Sequence, residues 1–135
     1  MVYSAEFSLR TRENRELVDI TSQVREIVAK SGVKEGMVLV FVPHATAALY
    51  LNEHESGLMR DVLSFLEELF PQSRHYLHNR IDDNATAHLG SIIFKPFALM
   101  PLTQGRLDVG TWQNIFLIEM DGPRTRRVIV KVIGE

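Results

Sequence analysis

Cysteine is absent from all 135 residues, which excludes disulfides, thiolate metal sites and cysteine nucleophiles together. Any bound metal must therefore be held by imidazole and oxygen. No apolar run approaches the roughly 20 residues that a bilayer-spanning helix needs. The N-terminal stretch MVYSAEFSLRT alternates and carries no basic leader, so it does not read as a signal peptide. A charge excess is missing too. Fifteen basic against 17 acidic residues give a net charge of −2, which lacks the basic footprint of a nucleic-acid binder. Repeats, low-complexity tracts and Gly/Ser linkers are also lacking. The expectation is one cytoplasmic domain over residues 1–135, without nucleic-acid or membrane partners.

What is present is a globular composition, 45% apolar and 24% charged, on a chain long enough for a single core. Tyr3, Ala5, Phe7 and Leu9 alternate with polar residues, which predicts a half-buried strand. VDITSQVREIVAKSG turns to helical spacing, with Thr21 or Ser22 as cap and Gly32 as the left-handed stop. GMVLVFVP predicts a strand covered on both faces. EHESGLMRDVLSFLEELFP predicts a helix with Leu58, Val62, Phe65, Leu66 and Leu69 as its stripe and Asn52 as its cap. Residues 72–83 read as a loop, followed by a short helix capped by Asp83 or Asn84. FALMPLT and GRLDVG flank a Gln104-Gly105 turn, and TWQNIFLIEMD and TRRVIVKVIGE flank GPR as a tight antiparallel connection. The order of elements predicts an α+β domain, and the strongly apolar strands predict either a curled sheet or a face covered by another subunit.

Three clusters carry chemistry. His44 ends a strand, while His78 and His88 flank Asp82 and Asp83. Three converging imidazoles would make an open divalent-metal site. The plainer reading makes each histidine a loop residue bonded to a backbone carbonyl or to water. Asp82 and Asp83 suit Mg²⁺ with substrate phosphates, or cap a helix. Glu53 is a first-turn acid, a general base, or a carboxylate that orients His44. In GTWQNIFLIEMDGPR, Trp112 is the sole tryptophan and fits a core or a stacked ligand. Gln113 and Glu119 interrupt an apolar strand and need buried partners or a ligand. Arg124, Arg126 and Arg127 fit those acids or a phosphate. His54 and His75 read as surface residues.

PHATAALYLNE, HNRIDDNATAHLGS and LTQGRLDVGTWQNIFLIEMDGPRTRR occur in that order. Together they resemble the YjbQ family, usually described as secondary thiamine-phosphate synthase, over essentially the whole chain. The resemblance implies a mixed, mostly antiparallel, barrel-like sheet with two main helices, assembled as a homotrimer. It implies a divalent metal ion, Zn or Mg, at His44, His78 and His88. Glu53, Asp82, Gln113 and Glu119 would be catalytic, and Asp83, Trp112, Arg126 and Arg127 would bind a small phosphorylated substrate. Ala45 and Ala47 stand where similar sequences often carry Thr or Ser, leaving Thr46 as the only hydroxyl there. The implied reaction joins a pyrimidine methyl diphosphate to a thiazole phosphate, with release of pyrophosphate. Hard oxygen ligands suit Mg²⁺ for this task, whereas a histidine trio suits Zn²⁺. The alternatives are a non-catalytic metal- or ligand-binding homotrimer and a metal-dependent hydrolase or lyase.

Overall fold

The computed structural model describes residues Met1–Glu135. Two antiparallel sheets share the core. The first contains β1 (Val2–Arg10), β3 (Gly36–Phe41), β5 (Phe97–Thr103), β6 (Arg106–Leu107) and β8 (Thr125–Gly134), in the order β1-β8-β3-β5-β6. The second is β2 (Glu16–Asp19), β7 (Asn114–Glu119) and β4 (Ala47–Asn52), with β7 central. Three helices complete the chain: α1 (Thr21–Ser31), α2 (Ser56–Leu69) and α3 (Ala85–Phe94). The α+β class holds. Every ladder is antiparallel, so the sheet is not mixed, and a third helix joins the two expected.

Alternation decides which side of each strand is buried. Val38 and Val40 of β3 and Val128, Val130 and Val132 of β8 are fully buried, joined by Val24 and Val28 of α1. A second cluster places Leu66 of α2 and Ala87 of α3 against Phe116 and Ile118 of β7. Gly90 lets α3 approach this closely, because a Cβ there would run into the Met120 sulfur.

Several local readings change. β3 is covered on one face only. Its outward Met37 and Phe41 lie beside Phe97 on β5 and Ile129 and Ile133 on β8, and Phe97, Leu99, Met37 and Ile133 are all exposed. Ile20 occupies the cap position of α1, and Asp19 rather than Thr21 or Ser22 accepts the first N–H, that of Thr21 at 2.9 Å. Gly32 ends the helix in the left-handed region, as expected. Helix α2 begins later than predicted. Glu55 caps it by accepting the Gly57 and Leu58 N–H groups, and Asn52 ends the unforeseen strand β4. The core stripe of α2 is Met59, Val62, Leu63 and Leu66, while Phe65 and Leu69 face outward. GPR does not close a hairpin, because β7 and β8 belong to different sheets.

Candidate functional site

Glu119 is fully buried at the end of β7, and a carboxylate there is costly unless its oxygens are filled. They are filled. Oε1 accepts Arg126 Nε at 2.8 Å and Thr11 Oγ1 at 2.7 Å. Oε2 accepts Arg126 Nη2 and the N–H groups of Met120 and Asp121, the latter two at 3.0 and 3.1 Å. Arg126 Nη2 also donates to the carbonyl and hydroxyl oxygens of Thr46. Burial alone would raise the Glu119 pKa, but the hydrogen bonds from Arg126, Thr11 and Asp121 outweigh it and bring it below the ordinary value. The pair is a structural knot. Glu119 is not free to act as a catalytic acid, Arg126 is out of reach of a phosphate, and Thr46 is occupied by Arg126.

The knot holds a loop in place. Thr11 donates its N–H to the Arg124 carbonyl and accepts the Arg124 N–H on its hydroxyl, both at 2.9 Å. Within the loop, Arg124 Nη2 donates to Asp121 Oδ2 at 3.0 Å. The same oxygen accepts Asn84 Nδ2 at 2.8 Å. This orients the Asn84 carbonyl oxygen toward His78 Nε2, 3.1 Å away. His78 therefore donates from Nε2. The His88 ring, on α3, meets His78 edge to face with centroids 4.7 Å apart.

Asn84 lines a polar cleft of about 550 Å³ together with Asn14, Asp83, Thr86, Asp121 and Arg124. His78 and His88 line a more apolar cleft of about 490 Å³ with His75, Tyr76 and Leu89. Asp82 is exposed and held below its ordinary pKa, chiefly by the Asp83 N–H it accepts at 2.9 Å and further by the charges of His78 and Arg124. Neither aspartate caps α3. The cap position is Asn84, without a side-chain cap bond, and Asn79 accepts the Ala85 N–H.

The predicted histidine trio does not assemble in one chain. His44 Nε2 accepts the Arg127 N–H at 2.8 Å, so the lone pair a metal would use is occupied. Burial, with the Arg126 charge next, lowers its pKa. No group of three histidine, aspartate or glutamate side chains is placed to hold a metal ion. Arg127 is exposed and paired with Glu6 at 2.8 Å.

The remaining predicted residues fall at the wrong end of the second sheet. Ala47 pairs with Glu119 and Asn52 with Asn114, so Glu53 follows one end of β4 while His44 precedes the other. Six residues of strand separate them by about 20 Å. Glu53 cannot orient His44, and its only local bond is a backbone one to Asn52. Gln113 and Trp112 share that far end. Gln113 is exposed in a turn, accepting the Gly110 N–H at 2.8 Å, and Trp112 is exposed rather than packed. The sequence reading missed Thr11, Asn84 as a link to His78, and Asp121. Asp121 and Arg124 at a spacing of three, beside a Gly-Pro, were the available signal.

Comparison with known proteins agrees with the motifs. The model of the UPF0047 protein YjbQ-like family matches residues 5–135. A UPF0047 protein of Archaeoglobus fulgidus is 46% identical over 128 residues, covering 95% of this chain and 99% of the relative. Another, from Methanothermobacter thermautotrophicus, is 44% identical over 99% of this chain and 94% of its own length. The crystal structure of a YbjQ-like protein of unknown function from Sulfolobus solfataricus is 50% identical, with TM-score 0.99 over 100% of this chain and 99% of that one. A hypothetical protein from Aeropyrum pernix, 40% identical, gives 0.96 over 98% and 99%. With the fold, the motifs and these relatives in agreement, this chain belongs to the YjbQ-like UPF0047 family.

Proposed function

We propose that this chain is an enzyme acting on phosphorylated small molecules. The polar cleft beside the Asp121–Arg124 loop is its phosphate site, and His78 and His88 are its acid–base pair. One observation carries this reading. An unbroken run of hydrogen bonds leads from Arg124 through Asp121 and Asn84 to His78. It couples a cation that can grip phosphate to an imidazole that can move a proton.

The reaction implied by the resemblance fits these parts. The thiazole nitrogen attacks the methylene carbon of the pyrimidine diphosphate. The carbon–oxygen bond breaks, and pyrophosphate leaves with the bonding electrons. Arg124 offers its remaining N–H groups to the leaving diphosphate, and the His78–His88 pair, joined to the cleft wall through Asn84, supplies a proton to it. Asn84 keeps His78 in a single tautomer. Asp83, on the cleft wall, would hold a Mg²⁺ arriving with the diphosphate, whose role is to neutralise leaving-group charge. The zinc reading of the histidine trio does not fit a single chain, and no step uses it. The open apolar face of the first sheet, with Phe97, Leu99 and Met37 exposed, supports assembly as a homotrimer. Work on phosphorylated precursors fits a cytoplasmic protein, and no helix here is long and apolar enough to cross a membrane.

The test incubates the purified protein with both substrates and Mg²⁺ and follows thiamine phosphate and pyrophosphate. Coupled formation of both is expected, with His88→Ala about 100-fold slower. Pyrophosphate release without thiamine phosphate would indicate the hydrolase or lyase instead. Pyrophosphate binding without turnover would indicate the non-catalytic homotrimer.

A further inference from the structure

Helix α1 has two flanks of opposite character. Val24 and Val28 face the core, so a row of residues four apart runs along each side of them. On the β1 side the charges are matched, with Glu26 and Lys30 paired at 3.1 Å beside a groove shared with Tyr3 and Phe7. On the β6 side the row is Arg25 and Ala29, both exposed. The Gln104-Gly105 turn supplies the facing wall. Both of its residues have positive φ, 51° and 78°, as a two-residue hairpin turn requires. Arg106 follows at once as the first residue of β6.

Between these walls lies a cleft of about 460 Å³, lined by Arg25, Val28, Ala29, Gly105, Arg106 and Leu107. Two of its residues are arginines, which stay charged at any physiological pH, and none is acidic. Neither arginine takes part in an ion pair of the chain. Lys34 adds a third cation without an ion pair at the Gly105 end, where an added Cβ would come 3.4 Å from its Nζ. The neighbouring acids are engaged elsewhere. Glu26 holds Lys30, Glu35 accepts the Gln104 N–H at 3.0 Å, and Asp108 accepts the Thr103 hydroxyl at 2.9 Å. Like charges gathered in this way repel one another, and an anion between them relieves the repulsion.

We infer that this cleft binds an organic phosphate, with the phosphate group between Arg25 and Arg106 and an apolar body on Val28, Ala29 and Leu107. A carboxylate has one charge, and a single arginine fork fills its two oxygens. A phosphate monoester has three acceptor oxygens and about two negative charges at neutral pH, which suits two forks brought by different elements. The site is separate from the phosphate cleft beside Arg124 and does not depend on the reading given to it.

The experiment titrates the full chain with phenyl phosphate and with benzoate, following the Nε–Hε resonances of Arg25 and Arg106 by NMR. Phenyl phosphate should shift both, and benzoate should bind about tenfold more weakly, having lost one charged contact. Arg25→Ala and Arg106→Ala should each weaken phenyl phosphate about tenfold for the same reason. Ala29→Glu, at an exposed helix position, gives Arg25 a carboxylate of its own four residues on and should abolish binding. Arg124→Ala should leave the shifts of Arg25 and Arg106 as they are, which separates this site from the cleft described above. Unmoved Arg25 and Arg106 signals at millimolar phenyl phosphate, equal binding of benzoate, or full affinity in both arginine variants would overturn the inference.

Discussion

Two titratable pairs are linked through Asp121, one by its N–H and the other by way of Asn84, and follow opposite principles. Glu119 and Arg126 are sealed, and nearly every polar atom has a partner. His78 and His88 line an open cleft, and only one of their nitrogens is tied to a side chain, through Asn84. The first pair gives up reactivity for geometry. The second keeps reactivity because the first supplies the geometry. Acidic and basic residues in the motifs of this chain are thus divided between those that shape a site and those left free within it.

That division can be broken at several points. The largest effect is expected from Glu119→Gln or Arg126→Met, because each leaves its partner buried and unpaired. A loss of about 3–5 kcal/mol on chemical denaturation is the expected outcome. A loss below about 1 kcal/mol would mean that water reaches the knot. His88→Ala should show the reverse, with turnover falling about 100-fold while stability changes by no more than about 0.5 kcal/mol. A parallel loss of stability would move His88 to the structural side.

Thr11→Val tests the connection between the two. It removes one donor to Glu119 and one acceptor for the Arg124 N–H, and should cost about 1–3 kcal/mol. Pyrophosphate binding, measured by calorimetry, should weaken with it, since the Arg124 loop is no longer held. Unchanged binding would uncouple the knot from the cleft.

The smallest effect is in the pH dependence. Glu119 and Asp19 lie below their ordinary values of 4.5 and 3.8. Asp19 is brought there, against its burial, by hydrogen bonds from His54 and Thr21. The unfolded chain therefore takes up protons first on acidification. Their stabilisation is complete above the ordinary values and is lost as the pH falls through the depressed ones. His44 also lies low, against an ordinary 6.5, so its contribution is complete above 6.5 and declines from there as the pH falls. Denaturation midpoints should show a shallow decline below pH 6.5 and a steeper one below 4.5. His44→Ala should flatten only the upper part and Glu119→Gln only the lower.

Periodicity made some elements legible and not others. β1 and the Gly32 stop follow from alternation and a left-handed glycine, and the Gln104-Gly105 turn lies where its residues indicate. β4 was hidden because AALYLN is nearly continuous in apolar residues, which gives no strand period, and its terminal asparagine looks like a cap. With β4 hidden, Asn52 reads as a helix cap and Glu53 as a neighbour of His44, although Glu53 lies at the opposite end of the strand from it. The TWQ stretch misled in the same way. Gln113 reads as a polar residue within an apolar strand, yet the strand begins one residue later. Glu119 was legible as a residue needing a buried partner. That the partner consumes it completely depends on Thr11, 108 positions away, which no local spacing reveals.

One consequence concerns how the chain is made. β1 has a single neighbour, and its register sets Val2 against Ile133 and Arg10 against Thr125. β1 leaves the ribosome well before β8 and must wait for it, and until then β1 and the β8-facing side of β3 both present unpaired edges. Closure of that sheet waits for β8, and pairing across so long a sequence separation is slow. Premature termination before residue 125 would leave two sticky edges in place of a finished sheet, a substrate for chaperones or for aggregation.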